Sequence, residues 1–264
     1  MITLKTEKLL ANVDDGIGWL TFNNPERRNA ISLEMWQGLG EVLEAFQHDD
    51  SVRVVVLKGA GGKAFASGAD ISEFDQHRAN AEQRQQYGEI AERGRAWLSR
   101  LDKPLIAMIQ GFCIGGGLAV SLSADVRFAS TGSTFGIPAA KLGLGYEYAG
   151  VAALARLVGP SNARDILFSA RFMPAEEARG MGLVNFVVSE DELESRVRSY
   201  AATLARNAPL TVRAAKAAIN TFERHSRTDA SAVAALVDAC FNSEDYAEGR
   251  RAFSEKRTPQ FKGR

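Results

Sequence analysis

The stretch "VRVVVLKG" at 52–59 is an almost unbroken apolar run, rich in β-branched residues. A strand with one wet face alternates apolar and polar side chains, so a run that is apolar in both parities belongs in a sheet covered on both faces. Helices have to supply those covers, and the rest of the chain reads accordingly. "ITLKTEKLL" and "GIGWLTFNN" flank Asp14, Asp15 and Gly16, which predicts a β-hairpin. Ser32 is a suitable cap for a helix whose apolar residues Leu33, Trp36, Leu39, Leu43 and Phe46 recur at helical spacing. A glycine-rich loop, "GAGGKAFASGAD", leads to a charged and largely helical stretch at 71–101. The next strand, "PLIAMIQG", runs straight into "FCIGGG" and an apolar helix, "LAVSLSAD". "VRFASTGSTFGIP" reads as one strand and a loop.

Beyond Gly150 two short helices are expected, the second with Pro160 early in it, followed by the strand "LVNFVV". From Ser189 onward helix follows helix. The strands end near 188, which divides the chain into an α/β core at 1–188 and a C-terminal helical region at 189–264. The alanine-rich amphipathic stretch 212–222 needs an apolar partner, either its own body or another subunit.

Charge and composition narrow the function. Thirty-two basic residues balance thirty-two acidic ones, so no global field favours nucleic acid or a membrane surface. Cys113 and Cys240 are too few for a disulfide framework or a thiolate cluster. His48, His77 and His225 lack ligand spacing, so no metal is expected. No apolar run reaches membrane-spanning length and the N-terminus has no signal-peptide core, so the expected location is the cytoplasm.

"QGFCIGGGLAVSLSAD" places a strand, three glycines and a helix start in succession. Glycines admit close approach to the backbone, and free N–H groups attract negative charge. The dinucleotide fingerprint fails because its third glycine would fall on Val120, and the G-K-[ST] of a Walker loop is absent. Gly115, Gly116 and Gly117 alone could equally form only a tight turn.

Taken together, "NNPERRNAIS", "KAFASGADISEF", "KPLIAMIQGFCIGGGLAVSLSADVRFAS", "TFGIPAAKLGL" and "NSEDYAEGRRAFSEKRTPQFKGR" strongly resemble the enoyl-CoA hydratase/isomerase (crotonase) family over nearly the whole chain. The resemblance implies a spiral of ββα units with C-terminal helices that assemble trimers, often paired into hexamers. It implies acyl-CoA substrates, no cofactor beyond the CoA they carry, and stabilisation of a thioester enolate by two backbone N–H groups. By position those donors are Ala69 and Gly116, with the helix start reinforcing Gly116. The same resemblance assigns CoA contacts to Arg28, Ala30, Ala66, Ala69, Asp70, Ile71, Gly115 and Gly116, with Phe253 and Lys256 reaching a CoA in a neighbouring subunit.

Two departures change the expected chemistry. Hydratases of this family carry glutamates at the positions of Ala119 and Ala139, and alanine can neither activate water nor deliver a proton. In "LGLGYEYAG", by contrast, Glu147 falls in register with the glutamate of the peroxisomal-type Δ3,Δ2-enoyl-CoA isomerases. Tyr146 matches a tyrosine of methylmalonyl-CoA decarboxylase. The expectation is an enoyl-CoA isomerase-type proton shuttle that uses Glu147. Tyr146 would orient that carboxylate or the substrate, and Tyr148 would be a pocket wall. Burial between the two rings would raise the Glu147 pKa towards neutrality. Three alternatives stay open: a decarboxylase of a malonyl-type thioester, a hydratase by family label only, and a non-catalytic CoA-binding protein.

Overall fold

The computed structural model describes residues 4–70, 81–142, 146, 148–223, 235 and 238–264. The expected hairpin pairs β1 (Leu9–Asp14) with β2 (Ile17–Phe22), Leu9 opposite Phe22 and Asp14 opposite Ile17. Its two-residue turn is Asp15 and Gly16, both at positive φ, the primed turn that matches strand twist. Ser32 caps α1 (Leu33–His48), its side chain accepting the Met35 N–H.

After β3 (Val54–Gly59) the chain repeats one pattern. A strand joins a six-stranded sheet, the next strand joins a four-stranded sheet, and a helix follows. The pairs are β3 with β4 (Ala64–Ala66), β5 (Leu105–Ile109) with β6 (Phe112–Ile114), and β7 (Val126–Ser130) with β8 (Thr134–Gly136). The intervening helices are α2 (Ala81–Arg100) and α3 (Gly116–Leu122). The larger sheet runs β1-β2-β3-β5-β7-β10, parallel from β2 onward, and the smaller runs β4-β6-β8-β9, with β9 at Met173–Pro174 and β10 at Phe186–Val188.

The expectation for 52–59 holds in detail. Val55 and Leu57 belong to one core, shared with Leu105, Ala107 and the α1 residues Leu39, Leu43 and Phe46. Val54 and Val56 face the other way into a second core with Ile17, Trp19, Ile106, Met108 and Phe128. That second face is covered by Leu193, Val197 and Ala201 of α6 (Leu193–Arg206), so the first long helix after residue 188 packs on the sheet of its own chain.

Three local expectations are corrected. The glycine-rich loop contains β4, and "VRFASTGSTFGIP" contains two strands, because these three-residue strands are too short for any periodicity to register. "PLIAMIQG" does not run smoothly into "FCIGGG": the chain turns at Gly111 (φ 70°) to change sheets. A Cβ on Gly111 would lie 2.1 Å from the Lys63 carbonyl oxygen, so only glycine lets the two crossings pass this closely.

The helices beyond Gly150 form α4 (Tyr148–Ser169), broken at Gly159 (φ 79°, ψ 156°) just before Pro160, as the proline led one to expect. Then come α5 (Ala175–Gly180), α6, α7 (Pro209–Glu223) and α8 (Glu244–Glu255). Among the described residues no helix is long and apolar enough to cross a membrane.

Candidate active site

Three segments meet at the glycine triplet. The first is the loop before α1. A short 3-10 turn at Pro25–Arg27 ends in two consecutive left-handed residues, Arg28 (φ 51°) and Asn29 (φ 56°). Such backbone costs roughly 1–3 kcal/mol per residue and persists only where its surroundings fix it, and here the Asn29 side chain does so. Fully buried, it accepts the Asn24 N–H at 2.9 Å and donates to the carbonyls of Ala60 at 3.0 Å and Ala64 at 2.7 Å. Asparagine tolerates the left-handed region better than other non-glycine residues. The family resemblance singles out its neighbours Arg28 and Ala30 but not Asn29 itself, although an asparagine before an apolar helix start is a signal for such a turn.

The second segment is 66–70. Ser67 N–H donates to the Arg28 carbonyl at 3.1 Å, Ile31 N–H to Gly68 at 2.7 Å, and Asp70 N–H to Ile31 at 3.0 Å. Ile31 and Ala69 are thus a parallel bridge in which Ile31 uses both its polar groups. In such a pair the polar groups of the other residue point away, so the Ala69 N–H is aimed off this ladder. Arg28 carries its guanidinium carbon 5.0 Å from the centroid of the Phe112 ring, and the buried Asp70 carboxylate lies 3.8 Å from the Arg27 guanidinium.

The third is the triplet itself. Gly115 N–H donates to Gly136 at 2.9 Å, tying the turn to β8. A Cβ on Gly117 would meet the Ala66 carbonyl oxygen at 2.1 Å, so α3 starts against the backbone of β4. A Cβ on Gly116 would lie 3.4 Å from the Ala69 nitrogen, and one on Gly68 (φ 117°) would lie 3.9 Å from the Gly116 nitrogen. The backbone nitrogens of Ala69 and Gly116 therefore sit side by side. Pro138, at the start of a 3-10 turn (Pro138–Leu142), comes within 4.0 Å of where a Gly115 Cβ would be. Ala139 in that turn is buried and Ala119 in α3 is half-buried.

Tyr146 closes this side. Its ring packs against the core and lies 3.2 Å from the position of a Gly150 Cβ, and its hydroxyl donates to the Gly115 carbonyl at 3.3 Å. Burial raises its pKa, which keeps it protonated as a donor. Tyr148, expected as a wall, is 84% exposed at the start of α4, so its ring neither lines a closed pocket in this chain nor desolvates a neighbour. The structure brings Arg28, Ala66, Ala69, Asp70, Gly115 and Gly116 together through these contacts, and Ala30 is buried in the loop between Arg28 and Ile31. Lys256, exposed just past α8, makes no described contact with that cluster. Ile71, Glu147 and the side chain of Phe253 lie outside the described residues.

Arg127 supports the far end of α3 and carries no signal in the sequence pattern. It is buried, and its guanidinium donates to the carbonyls of Leu183 at 2.8 Å, Ser121 at 3.3 Å and Ala124. These bonds tie the turn after α3 to the segment that leads into β10, and they satisfy the buried guanidinium. Burial also pushes the Cys113 thiol up to about 12, so it carries no thiolate near neutral pH.

Fold and site define an α/β protein of repeated ββα units whose glycine turn sets two backbone N–H groups next to each other. Known proteins share the fold. The sequence profile of the enoyl-CoA hydratase/isomerase family matches residues 12–264. The chain is 33% identical over 258 residues to the short-chain-enoyl-CoA hydratase of Clostridium acetobutylicum, covering 96% of this chain and 97% of that one. It is 35% identical over 253 residues to the carnitinyl-CoA dehydratase of Escherichia coli, covering 93% and 94%. The crystal structure of an enoyl-CoA hydratase/carnithine racemase from Magnetospirillum magneticum superposes with a TM-score of 0.92 at 38% identity, covering 98% of this chain and 97% of that one. The chain belongs to the enoyl-CoA hydratase/isomerase family, whose members transform acyl-CoA thioesters.

Proposed function

We propose that this chain is an acyl-CoA enzyme that stabilises a thioester enolate with the N–H groups of Ala69 and Gly116 and moves a proton with Glu147, as an enoyl-CoA isomerase does. The observation that carries the reading is the adjacency of those two nitrogens, with alanines at both positions where the family's hydratases have glutamates. An enolate oxygen develops a full negative charge, and each fixed donor aimed at it is worth on the order of 3 kcal/mol. Moving a double bond needs one base that takes a proton from one carbon and returns it to another. Adding water needs a second group.

The names of the relatives favour hydration or dehydration, whereas Ala119 and Ala139 argue against it. The expected result is therefore a ratio: kcat/KM for 3-enoyl-CoA isomerisation exceeds that for 2-enoyl-CoA hydration by at least about tenfold, or roughly 1.4 kcal/mol in barrier. Hydration that matches or exceeds isomerisation would overturn the isomerase reading. Decarboxylation of a malonyl-type thioester is the second reading. It is favoured by Tyr146, which matches a tyrosine of methylmalonyl-CoA decarboxylase, and it would use the same two donors for the electrons left by CO2.

In this proposal the loop with Arg28 and Ala30 and the segment with Ala66, Asp70 and Ile71 hold CoA, and no cofactor is needed beyond the CoA of the substrate. Phe253 and Lys256 serve a neighbouring subunit. The apolar side chains that α7 leaves exposed, Ile219 and Phe222, support association. Light scattering at micromolar concentration should give three or six chains per particle, and a monomer would contradict the assembly.

A further inference from the structure

Gly115 and Gly116 share one peptide group. In a trans peptide the C=O of the first residue and the N–H of the second lie in one plane and point in opposite directions. Gly115 has φ 53° and ψ −115°, the mirror image of the first central position of a type II turn, a conformation that glycine adopts without strain. The usual alternative for such a turn is rotation of this central peptide by about half a turn, which exchanges the directions of its C=O and N–H. Whatever holds the Gly115 carbonyl therefore also aims the Gly116 N–H.

Two donors hold that carbonyl. Ala119 N–H reaches it from within α3 at 2.9 Å, and the Tyr146 hydroxyl reaches it at 3.3 Å from the segment after the 3-10 turn. A carbonyl oxygen accepts two hydrogen bonds, so both acceptor sites are filled. The Ala119 bond belongs to a seven-residue helix and ties the peptide only to its own element. The Tyr146 bond ties it to a separate segment, whose ring is anchored in the core and against Gly150. At 3.3 Å it is longer than an ideal hydroxyl bond, as bonds in active sites often are before a ligand tightens them.

We infer that Tyr146 is a positioning residue: its hydroxyl fixes and polarises the Gly115–Gly116 peptide, so that the Gly116 N–H is held on the thioester oxygen and strengthened as a donor. Polarisation follows because a hydrogen bond accepted at a carbonyl draws electron density along the amide and makes its N–H a stronger donor. Tyr146 then acts through the peptide and not on the substrate, so neither the carbon that loses the proton nor the one that gains it need approach the phenol. The inference rests on Ala69 and Gly116 being the thioester donors, and the test keeps the two apart.

The probe is butyryl-CoA labelled with 13C at the thioester carbonyl, a saturated ligand with no double bond to move. Its carbonyl stretch is read by difference infrared spectroscopy on the native protein, on Tyr146→Phe and on protein carrying 3-fluorotyrosine at position 146. The band should fall in frequency on binding to native protein, fall less with Tyr146→Phe, and fall further than in native protein with the more acidic fluorophenol. In parallel, kcat for 3-hexenoyl-CoA isomerisation should drop about tenfold in Tyr146→Phe while KM stays within about twofold, since an aimed donor matters most when the charge has developed. No frequency shift in native protein removes the pair of donors and the inference with it. A normal shift in native protein that is unchanged in Tyr146→Phe leaves the donors standing and overturns the role of Tyr146. Should Tyr146→Phe fail to fold, the fluorotyrosine protein decides alone, and a carbonyl band identical to native overturns the inference.

Discussion

Glu147→Gln is expected to lower kcat/KM for 3-enoyl-CoA isomerisation by about two to four orders of magnitude, the usual contribution of a positioned acid/base group. The amide has almost the shape of the carboxyl but can neither take a proton from carbon nor return one. Binding of CoA and of the saturated thioester should stay within a few-fold, because Glu147 is not among the proposed anchors for either. The same variant separates the competing chemistries. Decarboxylation needs no base at the α-carbon, and an ionised Glu147 would repel the substrate carboxylate, so that activity should persist or rise in Glu147→Gln. Isomerisation that survives the substitution undiminished would show that the segment at 142–150 only lines the site.

What the sequence discloses and what it hides follow from physical length scales. The run at 52–59 specifies a strand buried on both faces because each parity must find its own apolar partner, and Val55 with Leu57 and Val54 with Val56 do so in separate cores. The hairpin turn at Asp15–Gly16, the Ser32 cap and the break before Pro160 are all local effects, and all are legible. Strands β4, β6 and β8 are not, since three residues carry no period and their pairing depends on neighbours tens of residues away.

The site divides in the same manner. The donors at Ala69 and Gly116 can be named only through family resemblance, because a backbone N–H leaves no side-chain signature. Asn29 and Arg127 satisfy backbone groups on segments distant in sequence, and nothing in their local pattern announces that. Tyr146 was visible as a residue but not in its action. Its partner is the carbonyl of Gly115, 31 residues earlier, and no spacing rule connects the two.

Gly117→Ala should be the most damaging single-methyl change in this region. The added Cβ would lie 2.1 Å from the Ala66 carbonyl oxygen, 2.7 Å from the Ala66 carbonyl carbon and 2.8 Å from the Ala66 Cβ. None of these is the free end of a flexible side chain. Relief requires moving α3 away from β4, and both flank the two donors: Ala66 begins the segment that ends in Ala69, while Gly117 follows Gly116 directly. Overpacking a fitted core costs about 1–3 kcal/mol, and a backbone clash of this depth belongs at or above the upper end. For a chain of this size that corresponds to roughly 2–4 °C of melting temperature per kcal/mol. Activity should fall further than stability, because a displacement of about 1 Å at a reacting centre can cost on the order of a hundredfold. Gly180→Ala is the matched control: nothing lies within 4 Å of its added methyl at the end of α5, so it should be neutral or stabilise by up to about 1 kcal/mol. Melting curves and kcat/KM for both variants decide the matter. A Gly117→Ala protein that melts with the native protein and turns over at the native rate would show that α3 can move off β4 without disturbing the donors.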